Sequence, residues 1–335
     1  MVVDDLRGAM FSRSRSKDRQ PRVRWRGALA PPSGFDSLVS VGVGVSGPVA
    51  LWASAEGAPK LHERDEQPGG ASFPRTRPSA EPAVALAAYN DSLTAATVAV
   101  IPALSVAYPH VQQFPDGAFL VVGARCSWTD SGPEQNAIVI GADGRIIRRG
   151  CLGDGLQHVQ VAADGTIWAG YFDEGVFGNL GWGGPNSPDP LGAAGIVAWS
   201  RVFEKTWELD PDEGLVADCY ALNVAPDAVW ACTYTDFPVV RIADGHEQVH
   251  DTEDVTGPSG IIAAHDRVGL IGTYRDPSRL IVGSLTDGVF TETSRTNLWA
   301  PDGAALPMAQ VHCRGSVTHF FSNRDWYTFD LNEFE

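Results

Sequence analysis

Methionine is scarce, with three in 335 residues, and no apolar run approaches the ~18 residues that would cross a bilayer. No apolar stretch follows the charges of the N-terminus, so no signal peptide is predicted; the expectation is a cytoplasmic protein without membrane insertion. No Cys-x-x-C pair occurs. The five cysteines (Cys126, Cys151, Cys219, Cys232, Cys313) are an odd, scattered set that suits reduced thiols buried in strands. G-x-S-x-G, H-E-x-x-H, the Walker loop and a G-x-G-x-x-G opening a helix are all missing, which removes the commonest hydrolase, zinc-protease and nucleotide signatures. VGVGVSG at Val41 to Gly47 is rich in glycine, but it reads as a strand and turn.

Long helical patterns are lacking as well, whereas 36 Gly, 23 Pro and 10 Trp point to many short strands joined by turns. The net charge of -16 is unevenly spread. The first 26 residues carry +5, leaving -21 on the remainder, which repels phosphate backbones and argues against nucleic acid as a partner of the folded part. Residues 1–21 read as a disordered basic tail and residues 22–335 as a single domain, predicted to be a monomer.

A repeat dominates that domain. VQQFPDGAFLVVGARC from Val111, VQVAADGTIWAGYFDE from Val159 and LNVAPDAVWACTYTDF from Leu222 share one template. IIAAHDRVGLIGTYRD from Ile261, AQVHCRGSVTHFFSNR from Ala309 and VGVGVSGPVALWASAE from Val41 also fit it. Anchored in the tight turn at Ser46, Asp116, Asp164, Asp227, Asp266 and Arg314, the copies are spaced by 70, 48, 63, 39 and 48 residues. Second hairpins built on Asp-Gly turns follow several copies. The pattern predicts an all-β, six-bladed β-propeller with four-stranded blades, strands A to D running outward from the axis.

The sixth unit ends before a fourth strand, and the alternating segment Val23 to Leu29 is unassigned. It is expected to pair with Trp326 to Leu331 and close the ring. Two long B-to-C connections, Glu56 to Pro82 and Asp173 to Gly195, rise over the same face, which becomes the expected binding surface. Trp182, between glycines in the second loop, either anchors a lid over a ligand or only pins an insertion.

Six residues before the turn anchor stand His110 and His158, in adjacent units, with Ser40, Ala221, Gly260 and Met308 at the other positions. Four residues before it stand Gln112, Gln160, Asn223 and Gln310, whose amides either face the channel or satisfy backbone groups of neighbouring blades. At the end of strand B come Arg125, Asp173, Asp236 and Arg275. Together these residues predict a polar channel mouth for a small polar molecule or peptide.

YPHVQQFPDGAFLV and LQHVQVAADGTIWAG resemble the repeat of the NHL, gluconolactonase and strictosidine-synthase-like propellers. The resemblance implies a metal or a catalytic histidine at the top of the channel, a role it carries to His110 and His158. The alternative function is therefore a lyase or hydrolase in which these histidines act as base or as ligands of a divalent transition metal, with Asp173 or Asp236 orienting them. The Asn and Glu calcium ligands of the lactonases have no counterparts here.

Overall fold

The computed structural model describes residues 20–90, 93–210 and 216–334; the expected tail through residue 19 lies outside them. Strand is the dominant regular structure, and helix is limited to short pieces such as α1 (Asp173–Phe177) and a 3-10 turn at Ala58–His62. After β1 (Arg24–Ala28) the chain runs as successive antiparallel meanders, each of four main strands except the last, which has three. The first holds β2 (Ser37–Gly44), β3 (Gly47–Ala53), β6 (Val84–Tyr89) and β7 (Ala95–Ile101), with the hairpin β4 (Arg64–Glu66) and β5 (Ser72–Pro74) in its long loop. The second holds β8 (Pro109–Gln113), β9 (Phe119–Gly123), β12 (Ala137–Ile140) and β13 (Ile146–Gly150), with β10 (Trp128–Thr129) and β11 (Gly132–Pro133) between. The third is β14 (Leu156–Val161), β15 (Ile167–Tyr171), β16 (Ile196–Trp199) and β17 (Lys205–Glu208).

The next two are β18 (Asp218–Val224) with β19 (Val229–Tyr234), β20 (Val239–Ala243) and β21 (His246–Thr252), then β22 (Gly260–Ala264) with β23 (Arg267–Ile271), β24 (Arg279–Thr286) and β25 (Val289–Asn297). The last holds β26 (Gln310–Arg314), β27 (Val317–Ser322) and β28 (Asp325–Asp330). Its outer edge is taken by β1, in the register Arg24 to Thr328, Trp25 to Tyr327, Gly27 to Trp326 and Ala28 to Asp325, with a bulge before Gly27. Pro21, read from sequence as tail, already accepts a bond from Trp299 N.

The arrangement is that of a β-propeller. The sheets are less separate than the repeat predicts, because the last three meanders share one twelve-stranded sheet. Two sparse parallel contacts join them, Asn223 to Cys313 near the centre and Asp251–Thr252 to Val289–Phe290 at the rim. Apolar residues from adjacent meanders form the core between them. The last meander also packs on the first, through Phe321 and Trp326 against Val41 and the fully buried Trp52. β3, β9 and β12 are buried on both faces, as strands packed between layers are.

Candidate functional site

The ladders set the height of every inner-strand residue. The closing pairs of the first hairpins are Gly44 with Gly47, Phe114 with Ala118, Ala162 with Thr166, Ala225 with Ala228, Ala264 with Arg267 and Arg314 with Val317. Counting back two residues gives a middle level of Gly42, Gln112, Gln160, Asn223, Ile262 and His312. Counting back four gives an upper level of Ser40, His110, His158, Ala221, Gly260 and Gln310. This corrects the sequence reading in one repeat: Arg314 closes the ladder rather than occupying the turn, which shifts that repeat by two residues. Gln310 therefore stands level with His110 and His158, Met308 is 93% exposed outside the set, and His312 is a channel residue that the repeat alignment missed.

The amides of the middle level serve the scaffold. Gln160 donates to Leu222 O (3.0 Å) and Cys313 O (3.1 Å) and accepts from Val224 N (2.9 Å). Asn223 donates to Ile261 O (2.9 Å) and Gly315 O (2.7 Å), and Gln112 accepts from Val161 N. All three are buried, so losing an amide would strand backbone groups of a neighbouring strand. At the turn end of the inner strands, Arg314 fills the axis where Gly44, Ala162, Ala225 and Ala264 leave room. Its guanidinium donates to Val43 O, Val224 O and Val161 O, and burial pulls its pKa down to about 10.

Above the middle level lies a cavity of about 470 Å³. Its walls include Ser40, His110, His158, Gln310 and His312, with Gln112 and Gln160 also exposed to it. The long loop of the first meander adds His62, which meets Tyr108 edge-on at 5.3 Å. Arg125 and Phe172 complete the wall. Among the described residues that line it there is no Asp or Glu, in a chain of net charge -16.

The imidazoles are held neutral. His110 Nε2 lies 3.2 Å from Leu156 O and His158 Nε2 lies 3.1 Å from Tyr220 O. A carbonyl can only accept, so in each ring Nε2 carries the proton and Nδ1 keeps a lone pair. Desolvation lowers the pKa of His110, and desolvation with the charge of His110 lowers that of His158 to about 4. His312 falls to about 3 from burial and then the nearby His158 and His110; its Nε2 is buried without a hydrogen-bond partner. Behind it, His319 accepts from Trp326 Nε1 (3.1 Å) and is likewise lowered to about 3 by burial.

The predicted charged rim is only partly assembled. Arg125 is in the wall, buried and held by Asp154 at 2.9 and 3.0 Å with Glu174 on its other side. Asp154 was not singled out by the repeat, because it lies in the connection ahead of β14. Asp173 is exposed and Asp236 is exposed at a positive φ of 63°; neither lines the cavity, and nor does the exposed Arg275. The geometry thus brings His110 and His158 to one space without either aspartate. Among the described residues no group of three or more His, Cys, Asp or Glu is placed to hold a metal ion.

Trp182 is a buried anchor outside the cavity. It is 5% exposed, donates to Cys126 O (2.9 Å) and meets Trp128 edge-on at 5.2 Å, while Leu180 O accepts from Trp128 N. α1 lies against the segment after Asp154, where Gly155 (φ +70°) touches Gly175 so closely that a Cβ would collide. The loop is therefore packed down over the second meander.

Fold and cavity together define a β-propeller whose channel mouth is lined by imidazoles and amides and free of acids. No family model matches the chain, and no curated protein matches it in sequence. Among solved structures it is similar to a functionally unknown protein from Desulfotomaculum acetoxidans, at 8% identity over 89% of this chain and 84% of that one, with a TM-score of 0.50. It is also similar to a gluconolactonase from Xanthomonas campestris (12%, 93% and 96%, TM-score 0.42) and to BamB from Moraxella catarrhalis (13%, 90% and 85%, TM-score 0.44). At these identities the likeness is one of fold alone.

Proposed function

We propose that the chain is a closed ring of six blades, with β1 as the outer strand of the last, and that it binds a small neutral polar molecule in the channel cavity. The observation that carries the binding reading is His312 Nε2, a buried polar atom without a hydrogen-bond partner on a residue of the cavity wall, near the free lone pairs of His110 and His158. Such an atom costs stability unless something answers it. The one guanidinium on the wall, Arg125, is already paired with Asp154 and Glu174, so an anion would need protonated imidazoles, which the lowered pKa of His158 disfavours at pH 7. A cation would find no carboxylate on the wall. The occupant that suits the lone pairs of His110 and His158 and the amide of Gln310 is uncharged and brings O–H or N–H donors.

Calorimetric titration of the purified protein at pH 7.5 with a panel of small uncharged hydroxyl and amide compounds tests this. A hit should be lost in His312→Phe, which fills the space, and kept in Arg275→Ala. Binding that survives His312→Phe would refute the cavity as the site. The enzyme reading draws on the same fixed tautomers, since a neutral imidazole with a free lone pair can act as a base. It requires that a bound compound turn over, and that His158→Asn keep binding while losing turnover. The metal version requires stoichiometric metal in purified protein that His110→Ala and His158→Ala release.

A further inference from the structure

Cys126 and Cys151, 25 residues apart in sequence, place their sulfurs 3.6 Å from each other. Neither lies in a strand, contrary to the sequence expectation: Cys126 follows β9 and Cys151 follows β13. The remaining thiols are buried in strands and directed at Ala221 O (Cys219), Phe237 O (Cys232) and the Thr318 hydroxyl (Cys313). We propose that Cys126 and Cys151 are an oxidisable pair that a hydroperoxide converts to a disulfide beside the cavity wall.

The two sulfurs are unequal. Cys126 is fully buried, whereas Cys151 is half-buried and accepts from Gly153 N (3.3 Å). Either sulfur could donate across the 3.6 Å contact, and Cys126 also faces Glu134 O (3.4 Å); with the proton on Cys126, charge is favoured on Cys151, whose pKa is lowered, and disfavoured on Cys126, whose pKa is raised. Burial first, and then Glu134 and Asp154, oppose a thiolate on either sulfur, and on Cys151 the two donors outweigh them. Cys151 is thus the sulfur that a peroxide reaches and that carries the electron pair.

In the first step the Cys151 thiolate attacks one peroxide oxygen. The O–O bond breaks, Cys151 becomes a sulfenic acid and the alkoxide leaves to take a proton as the alcohol. In the second step the Cys126 sulfur attacks the Cys151 sulfur; the S–S bond forms, the S–O bond breaks, and hydroxide departs with the thiol proton as water. Two thiols and one hydroperoxide give one disulfide, one alcohol and one water. The sulfurs must approach to about 2.05 Å.

The bond would tie two segments that already meet. Asp154 accepts from Arg125 and from Cys126 N (2.8 Å), so the Arg125–Cys126 and Cys151–Asp154 segments share one carboxylate behind the wall residue Arg125. Trp182 holds Cys126 O from the other side.

The test is graded hydrogen peroxide on the full-length protein, followed by intact mass and a non-reducing peptide map. Met308, 93% exposed, reports the dose. The expected result is loss of two hydrogen masses and a Cys126–Cys151 linked peptide before Met308 is oxidised, reversed by dithiothreitol. Cys126→Ser should leave a sulfenic acid on Cys151 that dimedone traps, and Cys151→Ser should leave Cys126 reduced. Linkage through any other cysteine, or both thiols still alkylated after Met308 is fully oxidised, would overturn the proposal. The wild-type map decides the matter even if a variant fails to fold.

Discussion

His312 occupies the level at which two other inner strands carry Gln112 and Gln160, and the exchange of amide for imidazole has a pH signature. The native pKa of His158 is about 4 and those of His312 and His319 about 3, all below the ordinary value of 6.5. Between those limits the unfolded chain binds protons that the native state refuses. Stability is therefore unaffected above pH 6.5 and falls as pH drops through the window toward 4 and then 3. His312→Gln should lose less than wild type on acidification; thermal midpoints for both proteins across pH 7.5 to 3.5 measure the difference, and parallel curves would show that His312 does not titrate apart. Trp182 gives a second residue-scale expectation. Trp182→Ala should cost about 3 kcal/mol in chemical denaturation, as for a large buried side chain, and should open residues 173–195 to protease. A loss under 1 kcal/mol would mean that the indole is dispensable to the packing.

At the scale of elements, the edge of β28 shows what the N-terminal strand does. Val23 and Leu29, flanking β1, are 2% and 0% exposed, so the segment contributes core as well as ladder bonds. Deleting residues through Leu29 should expose β28 and produce aggregates by light scattering, while deletion through Gln20 should leave a monodisperse protein. Equal behaviour of the two truncations would count against that role. The strand pattern was legible because alternation and Asp-Gly turns are local signals. What was not legible was a two-residue difference in the last hairpin: its loop, Gly315-Ser316, lacks the Asp-Gly that marks others, and Arg314 was taken for a turn residue. That difference hid His312 and set Met308, rather than Gln310, level with His110 and His158. Asp173, Asp236 and Arg275 were assigned by strand end alone, whereas the side chains that reach the wall were decided by loop packing, as Arg125 through Asp154 illustrates. Trp182 was left open between a lid anchor and a pin for an insertion, because glycine-rich flanks say nothing about burial; its packing on Cys126 and Trp128 is that of the pin.

For the whole molecule, the acidic surplus and the acid-free cavity belong together, because carboxylates are kept off the one inner surface where uncharged imidazoles meet. Gln112, Gln160 and Asn223 spend their hydrogen bonds on neighbouring strands, so the channel mouth is shaped by a rigid collar and decorated by only a few groups left over. Arg314 has a different consequence. Its guanidinium stoppers the axis at the turn end of the inner strands, with three backbone carbonyls gripping it. In the closed ring proposed above, that end of the channel is blocked, and the histidine-lined mouth is the way in. A ligand of the proposed site would then have to leave by the route it entered, so its residence time would be set by the side chains it must pass as well as by the groups it binds.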